Sequence, residues 1–283
     1  MLIWSTGFVV ARYGMPHAPP LGFIAWRHGL SLVAFGLWIL FSRPAWPRGA
    51  AQWFHLGVTG VLLHAGYLGG VWAAVKQGMS AGTIALIVGL QPVLTAVWVS
   101  ATGAEHRVSG SRWLGLALGL AGLLLVVWRK LDVGEISALN LALGLFALAS
   151  ITTGTLYQKR FVLACDVRTA NTVQLLAAFA VAAVLARLEH EPIRWHPELA
   201  GAMAWSVLVL TMGGSSLLYL LIQRGEATRV TSVLYLVPPC TAVLAWVLFG
   251  EVLSALVICG LALTALGVWL VVRPTTGSKS PLQ

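Results

Sequence analysis

Leu90-Gln91-Pro92-Val93-Leu94-Thr95-Ala96-Val97 returns 146 positions later as Leu236-Val237-Pro238-Pro239-Cys240-Thr241-Ala242-Val243, and a glutamate follows each copy, Glu105 and Glu251. Gly115-Leu116-Ala117-Leu118 then returns as Gly260-Leu261-Ala262-Leu263, and Gly122 as Gly267, with the spacing slipping by one residue in between. Upstream, Thr6-Gly7 matches Thr153-Gly154. The second half of the chain therefore repeats the first, and each copy holds five hydrophobic spans. Five is odd, so the two halves cross a bilayer in opposite directions. Such a pair has a pseudo-two-fold axis in the membrane plane and a binding site expected near the midplane between the halves.

Composition places these spans in lipid. Hydrophobic residues make up 58% of the chain and charged residues 10%, where a soluble domain carries about 25% charge. Mean hydropathy is +0.85. Ten helices are expected, at roughly 1–15, 20–42, 53–77, 80–102, 111–128, 137–161, 169–188, 200–223, 228–249 and 254–272. Most reach the roughly 20 residues that a hydrocarbon core of about 30 Å requires. The first is short, so its start is expected upstream. It contains Arg12 and reads as a mature span, not a cleaved leader. The expected organisation is a first five-helix repeat over 1–130, an inverted second repeat over 131–273, and a disordered tail over 274–283.

Orientation follows from Lys and Arg in the connections. With the N-terminus inside, eleven fall on the cytoplasmic side (Arg43, Arg48, Arg107, Arg112, Lys159, Arg160, Arg168, Arg224, Arg229, Arg273, Lys279) and six outside (Arg12, Lys76, Arg129, Lys130, Arg187, Arg194). Both termini are thus expected in the cytoplasm. The net charge of +9 is explained by these span ends, and no nucleic-acid partner is expected. The cysteines Cys165, Cys240 and Cys259 form no disulfide or zinc pattern, and the seven histidines show no ligand spacing along the chain. No catalytic constellation, metal or cofactor is expected.

Pro92 interrupts the fourth span, and Pro238 and Pro239 the ninth. A proline removes a backbone donor and frees the carbonyl four residues earlier. Freed carbonyls must face protein or a watery cavity. These prolines are accordingly candidate gating positions, with a static kink as the alternative. Gly115, Gly119 and Gly122 line the fifth span, as Gly260, Thr264 and Gly267 line the tenth. Small residues allow close backbone approach, either within one chain or in a dimer. A monomer is expected, with a dimer as the alternative.

All nine Asp and Glu residues lie in connections or at span ends. Arg27 is the one charge well inside a span. It can snorkel outward, hold helices together or bind a carboxylate. Its neighbour His28 turns another way and reads as interfacial. Polar side chains form stripes at helical spacing: His64 and Tyr67 on the third span; Gln91, Thr95 and Trp98 on the fourth; Ser150, Thr153 and Tyr157 on the sixth; Thr211, Ser215 and Tyr219 on the eighth; Thr228, Ser232 and Tyr235 on the ninth. A single Ser or Thr in a membrane helix commonly bonds its own backbone, but five stripes together read as a polar path. His64 reads equally well as a packing residue. Many tryptophans sit near span ends as an interfacial belt. Trp4, Trp72 and Trp98 lie deeper and can contact a ligand.

Trp4-Ser5-Thr6-Gly7-Phe8, Ala25-Trp26-Arg27, Gln91-Pro92, Glu105 and the glycines from Gly115 to Gly122, with Pro238, Gly250-Glu251, Gly260 and Gly267 in the second half, resemble the drug/metabolite transporter superfamily in its EamA-type ten-helix members. The likeness covers 1–273, and its nearest form is the bacterial YddG-type amino-acid exporters. The resemblance implies an all-α basket of two inverted five-helix repeats around a central cavity, lined by the first, third, fourth, sixth, eighth and ninth helices. It also implies multi-pass residence in the bacterial inner membrane, contact with lipid, and export of amino acids, related metabolites or drugs. Ile151 stands where the first repeat has Trp4, and Arg27 has no counterpart, so ligand contacts are expected to be asymmetric.

The expected substrate-binding set is Trp4, His64, Tyr67, Gln91, Trp98, Thr153, Tyr157, Ser215, Tyr219 and Tyr235. The expected activity is amino-acid export by alternating access, with broad selectivity that includes aromatic and other neutral side chains. Alternatives are export of drugs or other metabolites, a passive channel, or an enzyme acting on lipid-linked substrates.

Overall fold

The computed structural model describes residues 2–101, 110–132, 134–214, 217 and 236–272, and every regular element among them is helical. The order is α1 (Leu2–Gly14), α2 (Pro20–Ser42), α3 (Ala50–Gly60), π1 (Val61–Tyr67), α4 (Leu68–Lys76), α5 (Ala81–Val88), α6 (Gln91–Ala101), α7 (Gly110–Asp132), α8 (Ala138–Phe161), α9 (Val167–Ala186), α10 (Pro197–Ala204), π2 (Trp205–Gly214), α11 (Val237–Phe249) and α12 (Ala255–Val272). Among the described residues, five continuous stretches are long and apolar enough to cross a bilayer: Pro20–Ser42, Ala50–Lys76, Trp113–Asp132, Ala138–Phe161 and Val167–Ala186. Shorter apolar helices accompany them. The expected tail at 274–283 lies outside the described residues.

Local chemistry fixes several helix ends. Pro20 opens α2, where its missing N–H costs nothing. Ser80 caps α5 by accepting from the Thr83 N–H. Ser137 and Asn140 form a reciprocal capping box on α8. Asp166 caps α9.

Two features were not legible as helix periodicity. The third span carries a π-helical turn, π1, in its middle, and the eighth span carries a second, π2. In the repeat these positions correspond. A π turn inserts a residue into the i→i+4 ladder, and such turns occur frequently at functional sites.

The most extensive helix pair is α7 with α12, which joins the first half of the chain to the second. The glycine stripes meet face to face there. A Cβ added at Gly122 would lie 2.5 Å from both the Gly260 carbonyl oxygen and Thr264 Oγ1. One added at Gly267 would lie 2.5 Å from the Gly115 carbonyl oxygen. The small-residue faces are thus consumed within one chain and are not free for a dimer contact.

The core lies toward one end of the helices. Phe23 stacks on Trp72 at 4.2 Å between ring centroids, and both are fully buried with Met79, Ile84 and Ile87. Trp72 is therefore a core residue, 1% exposed: its depth in the span reflects packing on Phe23.

Replacing Gly122 by Val is expected to lower the thermal unfolding midpoint of detergent-purified protein, since over-packing costs about 1–3 kcal/mol. Gly36→Val, at a position with nothing within 4 Å, serves as the control and is expected to leave the midpoint unchanged.

Candidate substrate site

The polar side chains that converge inside the fold do so around the π-helices. Gly60, just before π1, lets α9 approach backbone to backbone at Gln174, since a Cβ there would collide with the Gln174 carbonyl. This contact brings Gln174 Oε1 within 3.3 Å of His64 Nε2. His28, from α2, donates from Nε2 to the His64 carbonyl at 3.2 Å. His28 is 1% exposed, so it is not interfacial: its ring turns inward to meet the π1 backbone. Arg27 donates from Nη2 to Thr211 Oγ1 on π2 at 3.2 Å, and Thr211 in turn donates to the Ser206 carbonyl at 2.8 Å. Arg27, His28, His64, Gln174 and Thr211 thus form one polar layer between α2, π1, α9 and π2. Tyr67, three residues on from His64 in π1, packs against the core.

A second group lies where the fourth span breaks. α5 ends at Val88, four residues before Pro92, the carbonyl position its ring obstructs. The chain turns at Gly89-Leu90, and α6 resumes with Leu94 N–H donating to the Leu90 carbonyl at 3.0 Å. Pro238 and Pro239 sit in the first turn of α11. The break at Gly89-Leu90 touches that first turn: a Cβ at Gly89 would lie 2.6 Å from Pro238 Cγ. α1 packs on the same place, with Ser5 Oγ donating to the Val237 carbonyl and Thr241 Oγ1 to the Ser5 carbonyl, each at 3.4 Å. Gln91 Nε2 donates to Thr155 Oγ1 at 2.9 Å, and His55 Nδ1 lies 2.7 Å from the Tyr157 hydroxyl.

Of the expected site residues, His64 and Tyr67 share the π1 layer, and Gln91 stands at the α5–α6 break. Thr153 is exposed on α8, where Thr155 is the hydroxyl that reaches Gln91. Ser150 is buried against Gly66. Trp4 and Trp98 are 38% and 58% exposed. Ser215, Tyr219 and Tyr235, with Thr228 and Ser232, lie outside the described residues. Spacing along the chain did not reveal His28, His55, Thr155 or Gln174. Gln174 carried a weak signal, as an amide inside an apolar span.

The connections α1–α2, α4–α5, α7–α8, α9–α10 and α11–α12 are tied together at one end of the bundle. Glu189 accepts from the Leu21 and Gly22 N–H groups at 3.0 and 2.8 Å. Lys76 pairs with Glu191 at 2.7 Å. His17 meets Glu198 at 3.0 Å and stacks on His196, so His17, His196 and Glu198 offer ligand atoms within 4.8 Å of one another, a convergence that spacing along the chain concealed. Glu251 accepts from the Ala81 N–H at 3.2 Å and so caps the N-terminus of α5 from across the repeat. Burial is the main influence on Glu251 and, with nearby Glu135, holds its pKa above the ordinary carboxylate value. Burial also works against ionised Glu135, but hydrogen bonds from Lys130 and Ser80 and the Lys130 charge outweigh it and hold that pKa low.

A carboxylate whose pKa is depressed on folding stabilises the fold above its unfolded pKa, and that contribution is lost as pH falls through the folded value. The thermal unfolding midpoint of the wild type should therefore drop as pH falls below the ordinary carboxylate range, and Glu135→Gln should flatten that dependence. An unchanged pH profile in the variant would remove the Lys130–Glu135 pair as its source.

The EamA-like transporter family matches residues 1–128 and again residues 139–273. The chain belongs to this family. Relatives of the EamA transporter include a Salmonella typhimurium protein named "Probable amino-acid metabolite efflux pump", 25% identical over 95% of this chain and 91% of its own length. A protein of the same name from Escherichia coli K12 is 24% identical over the same shares. The Escherichia coli K12 protein named "Uncharacterized inner membrane transporter YedA" is 27% identical over 89% of this chain and 81% of its own. A solved crystal structure matches with a TM-score of 0.65 at 20% identity, over 95% of this chain and 93% of that one, which shows the fold. The protein is a transmembrane transporter.

Proposed function

We propose that this EamA transporter exports amino acids and related metabolites from the bacterial cytoplasm across the inner membrane by alternating access, with ten spans arranged as two inverted five-helix repeats and both termini inside. The observation that carries this reading is the polar layer at the paired π-helices, which contains a guanidinium, imidazoles, an amide and hydroxyls but no carboxylate. A layer of that kind suits a zwitterion: donors face its carboxylate, and freed carbonyls and imidazole lone pairs face its ammonium. It offers a cationic drug no counter-charge. The family's double match, the similarity to amino-acid metabolite efflux pumps and the Lys and Arg bias of the connections support the same reading.

In this reading the end tied by Glu189, Lys76 and Glu251 faces the periplasm and is closed. Transport requires those links to part while the opposite end seals. The contact of Gly89 with Pro238 is where the two halves pivot, because α5 ends there against the first turn of α11, and a proline lacks the N–H that would tie that turn further.

Counterflow in proteoliposomes tests the proposal. Vesicles are loaded with one unlabelled amino acid each, and uptake of labelled threonine, methionine or tryptophan is followed. Saturable uptake that depends on the internal load is expected. Flux without saturation or counterflow indicates a channel instead, and no exchange for any amino acid by inserted protein removes the substrate assignment. Pro92→Ala is expected to insert normally and slow exchange about tenfold or more, as loss of a gating step does. Unchanged turnover would remove the gating role.

A further inference from the structure

Among the described residues, five buried side-chain polar atoms have no hydrogen-bond partner: Arg27 Nε, His28 Nδ1, Ser31 Oγ, Ser206 Oγ and Thr264 Oγ1. Thr264 belongs to the α7–α12 seam. The other four belong to α2 and π2. Arg27 and Ser31 are four residues apart on α2 and so share a face. Thr211, the acceptor of the Arg27 Nη2 bond, is tied back to Ser206. Native proteins rarely leave buried donors unmet, and each such group calls for an explanation.

Arg27 is also a charge without a counter-charge. It is 7% exposed, and among the described residues its one hydrogen-bond partner is a neutral hydroxyl. Among the described residues no acidic side chain pairs with it. Arg27 does not snorkel to an interface, since its guanidinium reaches inward to π2. An unpaired charge in low dielectric is costly, and an intramembrane ionisable residue is by default a functional one. The free Nε–H and the Ser31 and Ser206 hydroxyls are donors, and a planar guanidinium matches a carboxylate. The neighbouring spans are irregular at this level, because π1 and π2 flank the group and supply backbone that can rearrange.

We propose that Arg27 binds a small anion between α2 and π2, and that in the transport cycle this anion is the carboxylate of the exported solute. The inference rests on the reading of the protein as an amino-acid exporter, and it assigns which substrate group makes the one charged contact. His28 Nδ1, a lone-pair acceptor while His28 donates from Nε2 to the His64 carbonyl, stands beside it for a donor on the same solute.

The test uses the full chain and two readouts in chloride-free buffer: thermal stabilisation of purified protein by ligand, and KM in counterflow. The probes are methionine, its methyl ester, the amine lacking the carboxylate, and chloride as a free inorganic anion. Wild type is expected to bind methionine at least tenfold more tightly than the ester or amine. Arg27→Gln should raise the KM for methionine at least tenfold and leave binding of the ester unchanged. Arg27→Lys should recover part of the loss. A merely structural role would weaken all probes alike and overturn the proposal. So would an ester or amine that binds wild type as tightly as methionine, a comparison that needs no variant and stands if Arg27→Gln does not fold. Chloride stabilising wild type but not Arg27→Gln, with methionine KM unchanged, would reassign the site to an inorganic anion and overturn the substrate contact. Carboxylate stabilisation that depends on Arg27, without any counterflow, would sink the exporter reading and leave the anion site standing. Counterflow with an unchanged KM in Arg27→Gln would do the reverse.

Discussion

A hydrocarbon core supplies no hydrogen bonds, so backbone that departs from the α-helical ladder within a span must find its partners inside the protein. The departures in this chain obey that constraint and are grouped by it. The break at Gly89-Leu90 is pressed against Pro238 at the start of α11, and α1 adds hydroxyl bonds to the same spot. The π turns are covered in the same way. His28 donates to a π1 carbonyl, and the Thr211 hydroxyl satisfies a carbonyl within π2. The polar interior is thus a consequence of where the helices are irregular, and the helices are irregular at matching places in the two halves.

Two kinds of contact hold the halves together around that interior. Along α7 and α12, backbone meets backbone because Gly122, Gly260 and Gly267 carry no side chain, and lipid offers no hydrophobic drive that could replace such packing. At the tied end, carboxylates from late connections cap or pair with groups of early ones: Glu251 on the α5 N-terminus, Glu189 on the α2 N-terminus, Glu191 on Lys76. The first kind is dry and permanent. The second is partly solvated and made of separable charges, the type of link that an alternating mechanism can open.

The sequence made the α-helical spans, their approximate limits and the close-packed glycine faces readable, because hydrophobic length, proline and small-residue spacing are local signals. It did not reveal the π turns, since one extra residue in a ladder leaves the hydrophobic pattern almost unchanged. His28 illustrates the same limit. Its position beside Arg27 on a helix of uniform hydrophobicity gave it no inward direction, and only the arrival of π1 against α2 buries it. Trp72 shows the same limit: its depth in the span did not reveal that Phe23 stacks on it.

The membrane class, the duplication and the absence of acids from the spans were determined by sequence alone, because each is a count or a period along one dimension. Which polar groups meet was decided by tertiary structure. Gln174 reaches His64 across 110 residues, and Arg27 reaches Thr211 across 184. Those meetings depend on how closely helices approach, and the approach is set at Gly60 and the α7–α12 glycines by backbone contact that no spacing rule encodes.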